Sequence, residues 1–444
     1  MTTLQNKPTR VRWLILAILF AVTTINYADR ATIAIAGPEL KRVLGLSPVE
    51  MGFVFSAFAW SYVLAQLPGG WLLDRFGTKM TYFFSIFLWS LLTVLMGTVG
   101  LVAGATALAL LFGLRLAIGA AEAPSFPGNS RLASAWFPTN ERGTAAAIFN
   151  SAQYFATVLF GPIMGWLVHS FGWESVFYVM GGLGIAISFV WLKTVYGPKE
   201  HPLVNQSELA YIEAGGALTD LESKNRAATS GTIRTASAIR QLLASRMLLG
   251  VYIGQYCINT LTYFFLTWFP VYLVSERHMT ILKAGFVAAL PAVAGFLGGV
   301  LGGLISDRLI KRGYSLSKAR KIPIVGGMLL AMTMIVCNYV AADWLVVLVM
   351  SLAFFGKGVG ALGWAVVADT SPKDAGGLSG ALFNTFGNTA GITTPIVIGY
   401  ILQQSGSFAG ALVFVGANAA VAILCYTLMV GEIKRFEFKS PVHG

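Results

Sequence analysis

Apolar blocks long enough to cross a bilayer recur along the whole chain, and no other feature constrains its fold as much. A hydrocarbon core of about 30 Å needs roughly 20 helical residues. About twelve blocks reach that length: residues 11–36, 51–73, 81–100, 102–122, 144–168, 175–192, 248–274, 284–306, 323–340, 344–367, 377–402 and 409–430. Only 11% of the residues are charged, against about a quarter in a soluble domain. In lipid every backbone polar group needs an internal partner, which leaves helices or a closed barrel. Blocks of this length therefore predict an all-α membrane protein of about twelve transmembrane helices.

The first block follows basic residues and precedes Ala34-Ile35-Ala36, as a secretory signal would, but its apolar stretch exceeds a cleaved h-region and carries polar residues that a signal does not need. It reads as a retained helix. Cys257, Cys337 and Cys425 lie within apolar blocks without metal-ligand spacing and read as buried small hydrophobes. His169, His201, His278 and His443 lie outside the blocks or at their ends. Neither a metal cluster nor a nucleophile with its base is expected inside the membrane, which argues against an enzyme and implies no cofactor.

The net charge of +12 is explained by its distribution. Threading the blocks alternately puts about 24 of the 31 basic residues on the side that holds both termini. The other side receives Lys41, Arg42, Arg277 and Lys283. This positive-inside bias predicts cytoplasmic termini. Basic residues grouped with aromatic platforms on a soluble module, the footprint of a nucleic-acid binder, do not occur.

The polar segment 199–246 breaks the rhythm after the sixth block. It divides the chain into a six-helix half (1–198), a central cytoplasmic loop (199–246) and a second six-helix half with a short tail (247–444). Within the loop, Asn205 and Glu208 have capping-box spacing ahead of Leu209, Tyr211 and Ile212, which predicts a short surface helix; the remainder reads as linker. The halves repeat. Gly52-Phe53-Val54 precedes Asp74-Arg75 by the interval at which Gly285-Phe286-Val287 precedes Asp307-Arg308, with Gly70 and Gly303 four residues before each Asp. A weaker echo pairs Phe149-Asn150, Pro162 and Gly165 with Phe383-Asn384, Pro395 and Gly399. Repeat symmetry of this kind places a transporter's site at the interface of the halves.

The run Gly70-Trp71-Leu72-Leu73-Asp74-Arg75-Phe76-Gly77-Thr78-Lys79 resembles the loop signature of the major facilitator superfamily, and Gly303 with Asp307-Arg308 resembles its second copy. Tyr27-Ala28-Asp29-Arg30, Phe55-Ser56-Ala57-Phe58-Ala59-Trp60 and Glu122-Ala123-Pro124-Ser125-Phe126-Pro127 are similar to the anion:cation symporter branch. Phe149-Asn150-Ser151-Ala152-Gln153-Tyr154-Phe155 and Phe354-Phe355-Gly356-Lys357-Gly358 most resemble the bacterial glucarate/galactarate permeases. The resemblance covers essentially the whole chain. It implies two six-helix halves that rock about a central site in the bacterial inner membrane, a monomer, a small organic anion as substrate and protons as the coupled ion.

Each ionisable residue at the centre of a membrane helix costs at least about 2.5–3.5 kcal/mol, so it normally has a partner or a task. The chain places Asp29, Arg30, Arg115, Glu122 and Lys357 in such positions. Tyr27 and Asn26 share a helical face with Arg30, and Arg115 shares one with Glu122. An Arg fork can grip a carboxylate through two parallel bonds, and the adjacent Asp29 can hold it while the site is empty. Asp29 with Arg30, or Arg115 with Glu122, can equally be permanent pairs that only fix packing. The resemblance implies that Arg30 contacts a substrate carboxylate and that Asp29 and Glu122 take up protons.

Among neutral residues, Tyr27, Tyr62, Gln153 and Asn384 are candidate substrate contacts, since a polyhydroxy chain needs donors and acceptors. Asn259 and Tyr263, one turn apart in the seventh block, are further candidates. Lys357, Ala361 and Trp364 recur at helical spacing in the tenth, which puts Lys357 and Trp364 on one face. Relatives in the branch that carry monocarboxylate sugar acids have hydroxyl residues where this sequence has Ala361 and Gly363, so their sugar contacts do not transfer directly. Asp74, Arg75, Asp307 and Arg308 are candidate gating residues, or else surface anchors. The sequence thus reads as a proton-coupled importer of aldarates such as glucarate or galactarate. An aldonate or tartrate symporter is the alternative within transport, and a passive anion channel the alternative outside it.

Overall fold

A computed structural model describes residues 7–139, 141–220, 235–372 and 375–438, and no strand occurs among them. The first half comprises α1 (Val11–Leu44), α2 (Pro48–Phe76), α3 (Thr78–Met96), a broken span of α4 (Gly104–Glu122) and α5 (Ser125–Trp136), α6 (Arg142–Phe171) and α7 (Glu174–Thr194). On the surface follow α8 (Gln206–Ala214) and α9 (Thr235–Ala244). In the second half, α10 (Arg246–Tyr263) and α11 (Phe269–Ser275) form one span and α12 (Ile281–Lys311) the next. They are followed by α13 (Leu316–Ala331), a second broken span of α14 (Asp343–Val359) and α15 (Gly363–Thr370), then α16 (Gly376–Ser405) and α17 (Ala409–Leu424).

Eleven of these stretches, among the described residues, are long and apolar enough to cross a membrane. The twelfth, α16, has the length at 30 residues. It is more polar because Asn384, Thr385, Asn388, Thr389, Thr393 and Thr394 interrupt it. That helix lines the interface between the halves, where polar side chains find partners.

Local chemistry sets the ends. At the start of α2, Ser47 and Glu50 form a reciprocal capping box with Pro48 in the first turn. The preceding helix ends at Gly45, whose φ of 66° suits glycine. The seventh span has one π-helical turn at Phe264–Trp268, just ahead of Pro270, which lacks the donor that regular helix needs. The fourth span breaks at Ala123 and Pro124, and the tenth at Gly360, Ala361 and Leu362.

The halves meet chiefly along two crossings, α2 on α16 and α6 on α12. Both rely on glycine for backbone contact. A Cβ on Gly52 would stand 2.6 Å from the Pro395 carbonyl oxygen, and one on Gly399 2.6 Å from that of Pro48. Across the other crossing, a Cβ on Gly285 would stand 2.7 Å from the Gly161 oxygen. Gly52 and Gly285 are the residues that the internal repeat matches. The molecule is therefore shut at the end that holds Pro48 and Ile281. At the other end a Cβ on Gly70 or Gly303 would meet nothing within 4 Å. The helices make no close approach at the signature glycines in this arrangement, because the halves converge at the opposite end.

The predicted surface helix is present as α8, and Asn205 accepts from the Glu208 backbone N–H at 2.8 Å. Glu208 does not complete the capping box. Its fully buried carboxylate reaches the start of α1, where it accepts from Thr9 Oγ1 at 2.6 Å, Val11 N at 3.0 Å and Arg12 N at 3.2 Å. Residues 215–218 bind the last turn of α5 and the loop after it, through Leu218 N to Ser134 O and Thr139 N to Gly215 O. The polar segment is thus more than linker: its first part is fastened to the first half and α9 is helical, while residues 221–234 lie outside the described residues.

Candidate functional site

Every ionisable residue singled out within the apolar blocks is buried: Asp29, Arg30, Arg115, Glu122 and Lys357 are between 0% and 7% exposed. Arg30 projects from α1 into an aromatic cage, its Cζ 5.0 Å from the Tyr27 ring, 4.6 Å from Phe58 and 4.8 Å from Tyr62. Such faces favour a guanidinium. Its Nε donates to Glu122 Oε2 at 2.8 Å. The ion pair thus joins α1 to the last residue of α4, beside the break.

This is neither pairing that spacing alone suggests. Asp29, the chain neighbour of Arg30, points elsewhere: its carboxylate faces Trp89 and Thr93 of α3 and the charge of Arg115. Neither of its oxygens has hydrogen-bond geometry to a partner. Successive residues on a helix are about 100° apart, so the two side chains serve different faces. Arg115 lies 5.3 Å from the Phe58 ring and feels Glu122, Arg30 and Asp29 together, with its Nε unpaired. Arg30 Nη2 and Glu122 Oε1 are also buried and unpaired. The cluster is therefore incompletely satisfied, as expected where a ligand or water completes it.

A cleft of about 750 Å³, its open mouth included, runs between α1, α6, α10, α12 and α14 and is lined by Tyr27, Gln153, Tyr154, Thr262 and Phe354. Two buried cations stand behind its aromatic walls. Tyr27 leads to Arg30 on one side. On the other, Lys357 Nζ lies 5.9 Å from the Tyr154 ring and 5.2 Å from Phe354. Lys357 is 5% exposed and makes no ion pair or hydrogen bond to the described residues.

The second half adds an amide network. Gln255 Nε2 donates to Asn259 Oδ1 at 3.2 Å, Tyr263 Oη to Asn388 Oδ1 at 2.9 Å, and Asn388 Nδ2 to Asn384 Oδ1 at 3.0 Å. Asn384 Nδ2 donates across the interface to Gln66 Oε1 at 3.2 Å. Gln66 and Asn388 were not among the expected site residues. Each lies four residues after one that was, Tyr62 and Asn384, and that interval is the signal that could have found them.

Trp364 departs from expectation. The break at Gly360, Ala361 and Leu362 ends the helix that carries Lys357, so Lys357 and Trp364 do not share one continuous face. Trp364 is exposed and packs edge-on against Phe383 at 4.9 Å. The signature residues make their contacts outside the cluster. Asp74 pairs with Arg131 and Arg75 lies over Trp71, while Arg320 bridges Asp369 at 2.8 Å and Asp307 at 3.9 Å. Arg308 is exposed. Each of these pairs stays within one half.

The family model described as Major Facilitator Superfamily matches residues 19–336. The chain is 64% identical to the "Probable galactarate/D-glucarate transporter GudP" of Bacillus subtilis (strain 168) over 98% of this chain and 95% of the relative. It is 61% identical to the protein of the same name from Escherichia coli (strain K12), covering 99% and 97%. Among solved structures, a D-xylose-proton symporter superposes with a TM-score of 0.74 at 15% identity, covering 95% of this chain and 98% of that one, a likeness of fold alone.

Proposed function

This chain belongs to the Major Facilitator Superfamily, and from that premise we propose that it imports aldarates, the six-carbon sugar dicarboxylates galactarate and glucarate, together with protons. Relatives at 61–64% identity over nearly the whole chain carry that substrate in their names. The observation that supports the reading is that two buried cations stand behind aromatic residues lining one cleft: Arg30 of the first half beside Tyr27, and Lys357 of the second beside Tyr154 and Phe354. A linear dicarboxylate brings one anionic group to each.

The charges suggest how transport couples to protons. In the empty site Glu122 neutralises Arg30. A substrate carboxylate that takes the Arg30 fork displaces Glu122 from its counter-ion, and a proton takes the place of the guanidinium. Proton uptake at Glu122 and substrate binding at Arg30 then support each other. Asp29, buried without a hydrogen-bonded partner, is the second proton carrier. Arg115 holds the two carboxylates in register, Gln153, Asn259, Tyr263 and Asn384 meet the hydroxyls, and the exposed Trp364 beside Phe383 is a further contact. The glycine contacts at Gly52 and Gly285 open and the signature ends at Asp74 and Asp307 close as the halves rock.

With both termini cytoplasmic, as the basic residues favour, the shut end is periplasmic and the described arrangement faces inward. A cysteine at Ala210 on α8 should then react with an impermeant thiol reagent only after the membrane is opened; reaction in intact cells would invert the topology. Uptake of labelled galactarate by cells that lack other aldarate carriers, in competition with glucarate, galactonate and tartrate, tests the substrate. The two hexarates should compete best, and preference for a monocarboxylate would overturn the reading.

A further inference from the structure

Among the described residues, one side-chain hydrogen bond joins a helix of the first half to a helix of the second: Asn384 Nδ2 to Gln66 Oε1, 3.2 Å. Gln66 lies one turn beyond Tyr62 on α2, so the two share a face, and the Tyr62 ring touches Arg30. Asn384 leads through Asn388 to Tyr263. Gln66 therefore stands where the cation-bearing wall meets the amide-bearing wall.

Its own amide is half used. Oε1 accepts from Asn384, but Nε2 is buried and has no partner. A buried donor without an acceptor costs about 1–3 kcal/mol, and an amide nitrogen has two N–H groups to place. No neighbouring side chain among the described residues supplies an acceptor. An acceptor arriving with the substrate satisfies the group once the packing around this buried nitrogen gives way.

Resting on the reading of the chain as an aldarate transporter, we infer that Gln66 is a specificity residue for the hydroxylated carbon chain. Its Nε2 donates to a substrate hydroxyl while Oε1 keeps Asn384 in place. The amide pair thus reads the polyol backbone from both halves at once, and Arg30 and Lys357 read its charged ends. A site built to hydrogen-bond a hydroxyl discriminates strongly against an analogue that lacks it, because the site's polar groups are then left unpaired.

Adipate has the length and both carboxylates of galactarate and no hydroxyl, so it separates the two kinds of recognition. Binding of galactarate and adipate is measured on purified full-length protein for the wild type, Gln66→Leu and Gln66→Met. Galactarate binding should weaken about tenfold in both variants, while adipate binding stays as in the wild type and reports that the site is intact. Parallel losses for both ligands, or unchanged galactarate binding, overturn the assignment. A wild type that binds no aldarate overturns the substrate reading and this inference with it; a wild type that binds galactarate no better than the variants overturns Gln66 alone.

Discussion

Arg30 Nε lies 2.8 Å from Glu122 Oε2, so the guanidinium of the first helix is held by the fourth span and not by its chain neighbour Asp29. Only one of the possible contacts is made: Arg30 Nη2 and Glu122 Oε1 are buried and unpaired. A fully bidentate pair would be hard to displace. One made through a single pair of atoms leaves the fork ready for a second carboxylate.

Arg30→Lys should therefore lose much of the affinity for aldarates although charge is kept, because an ammonium cannot form the two parallel bonds of a guanidinium. Equilibrium binding should weaken tenfold or more, roughly 1.4 kcal/mol or above. Unchanged binding would make Arg30 a packing partner of Glu122.

Lys357 has no counter-charge among the described residues, so the substrate's far carboxylate supplies it. Lys357→Gln should reduce affinity for galactarate considerably more than for galactonate, which has one carboxylate. Equal losses, or none, would remove the two-cation basis for a dicarboxylate.

At the shut end a Cβ on Gly52 would collide with the backbone at Pro395. Backbone cannot rotate aside as a side chain can, so Gly52→Leu should hold that end open. Cys257, Cys337 and Cys425 are buried. With these replaced by serine and a cysteine placed at Thr262 in the cleft, an impermeant reagent on the side opposite the termini should label the Gly52→Leu protein faster, and net uptake should stop. Equal labelling would show that the contact does not keep this end shut.

Glu208 ties the central segment to α1 through three contacts to residues 9–12 and a 3.1 Å ion pair with Arg12. Removing one partner of a buried charged pair costs about 3–5 kcal/mol. Glu208→Ala should lower the thermal unfolding midpoint of the purified protein and leave the KM for galactarate unchanged. A changed KM at unchanged stability would give the latch a role in the transport cycle instead.

The spans, the two-half repeat and the buried charges were legible in the sequence because each follows from local pattern: block length, a fixed offset, an ionisable residue in an apolar run. Partner choice was not. Arg30 and Glu122 are 92 residues apart, and spacing along a single helix favours only pairs such as Arg115 with Glu122. The shared face of Lys357 and Trp364 failed for a different reason. The helical period was extended across Gly358, Gly360 and Gly363, a glycine cluster that ends one helix and allows another to begin. Gln66 was hidden because its task depends on Asn384, which only the packing of α2 on α16 brings near.

Labelled galactarate uptake into proteoliposomes with an inward proton gradient, for the wild type and Glu122→Gln, tests the central claim most directly. The wild type should accumulate galactarate above equilibrium and lose that accumulation with an uncoupler. Glu122→Gln should still exchange internal for external galactarate but accumulate none. Uncoupler-sensitive accumulation by Glu122→Gln at the wild-type level would contradict the coupling of substrate and proton through the Arg30–Glu122 pair.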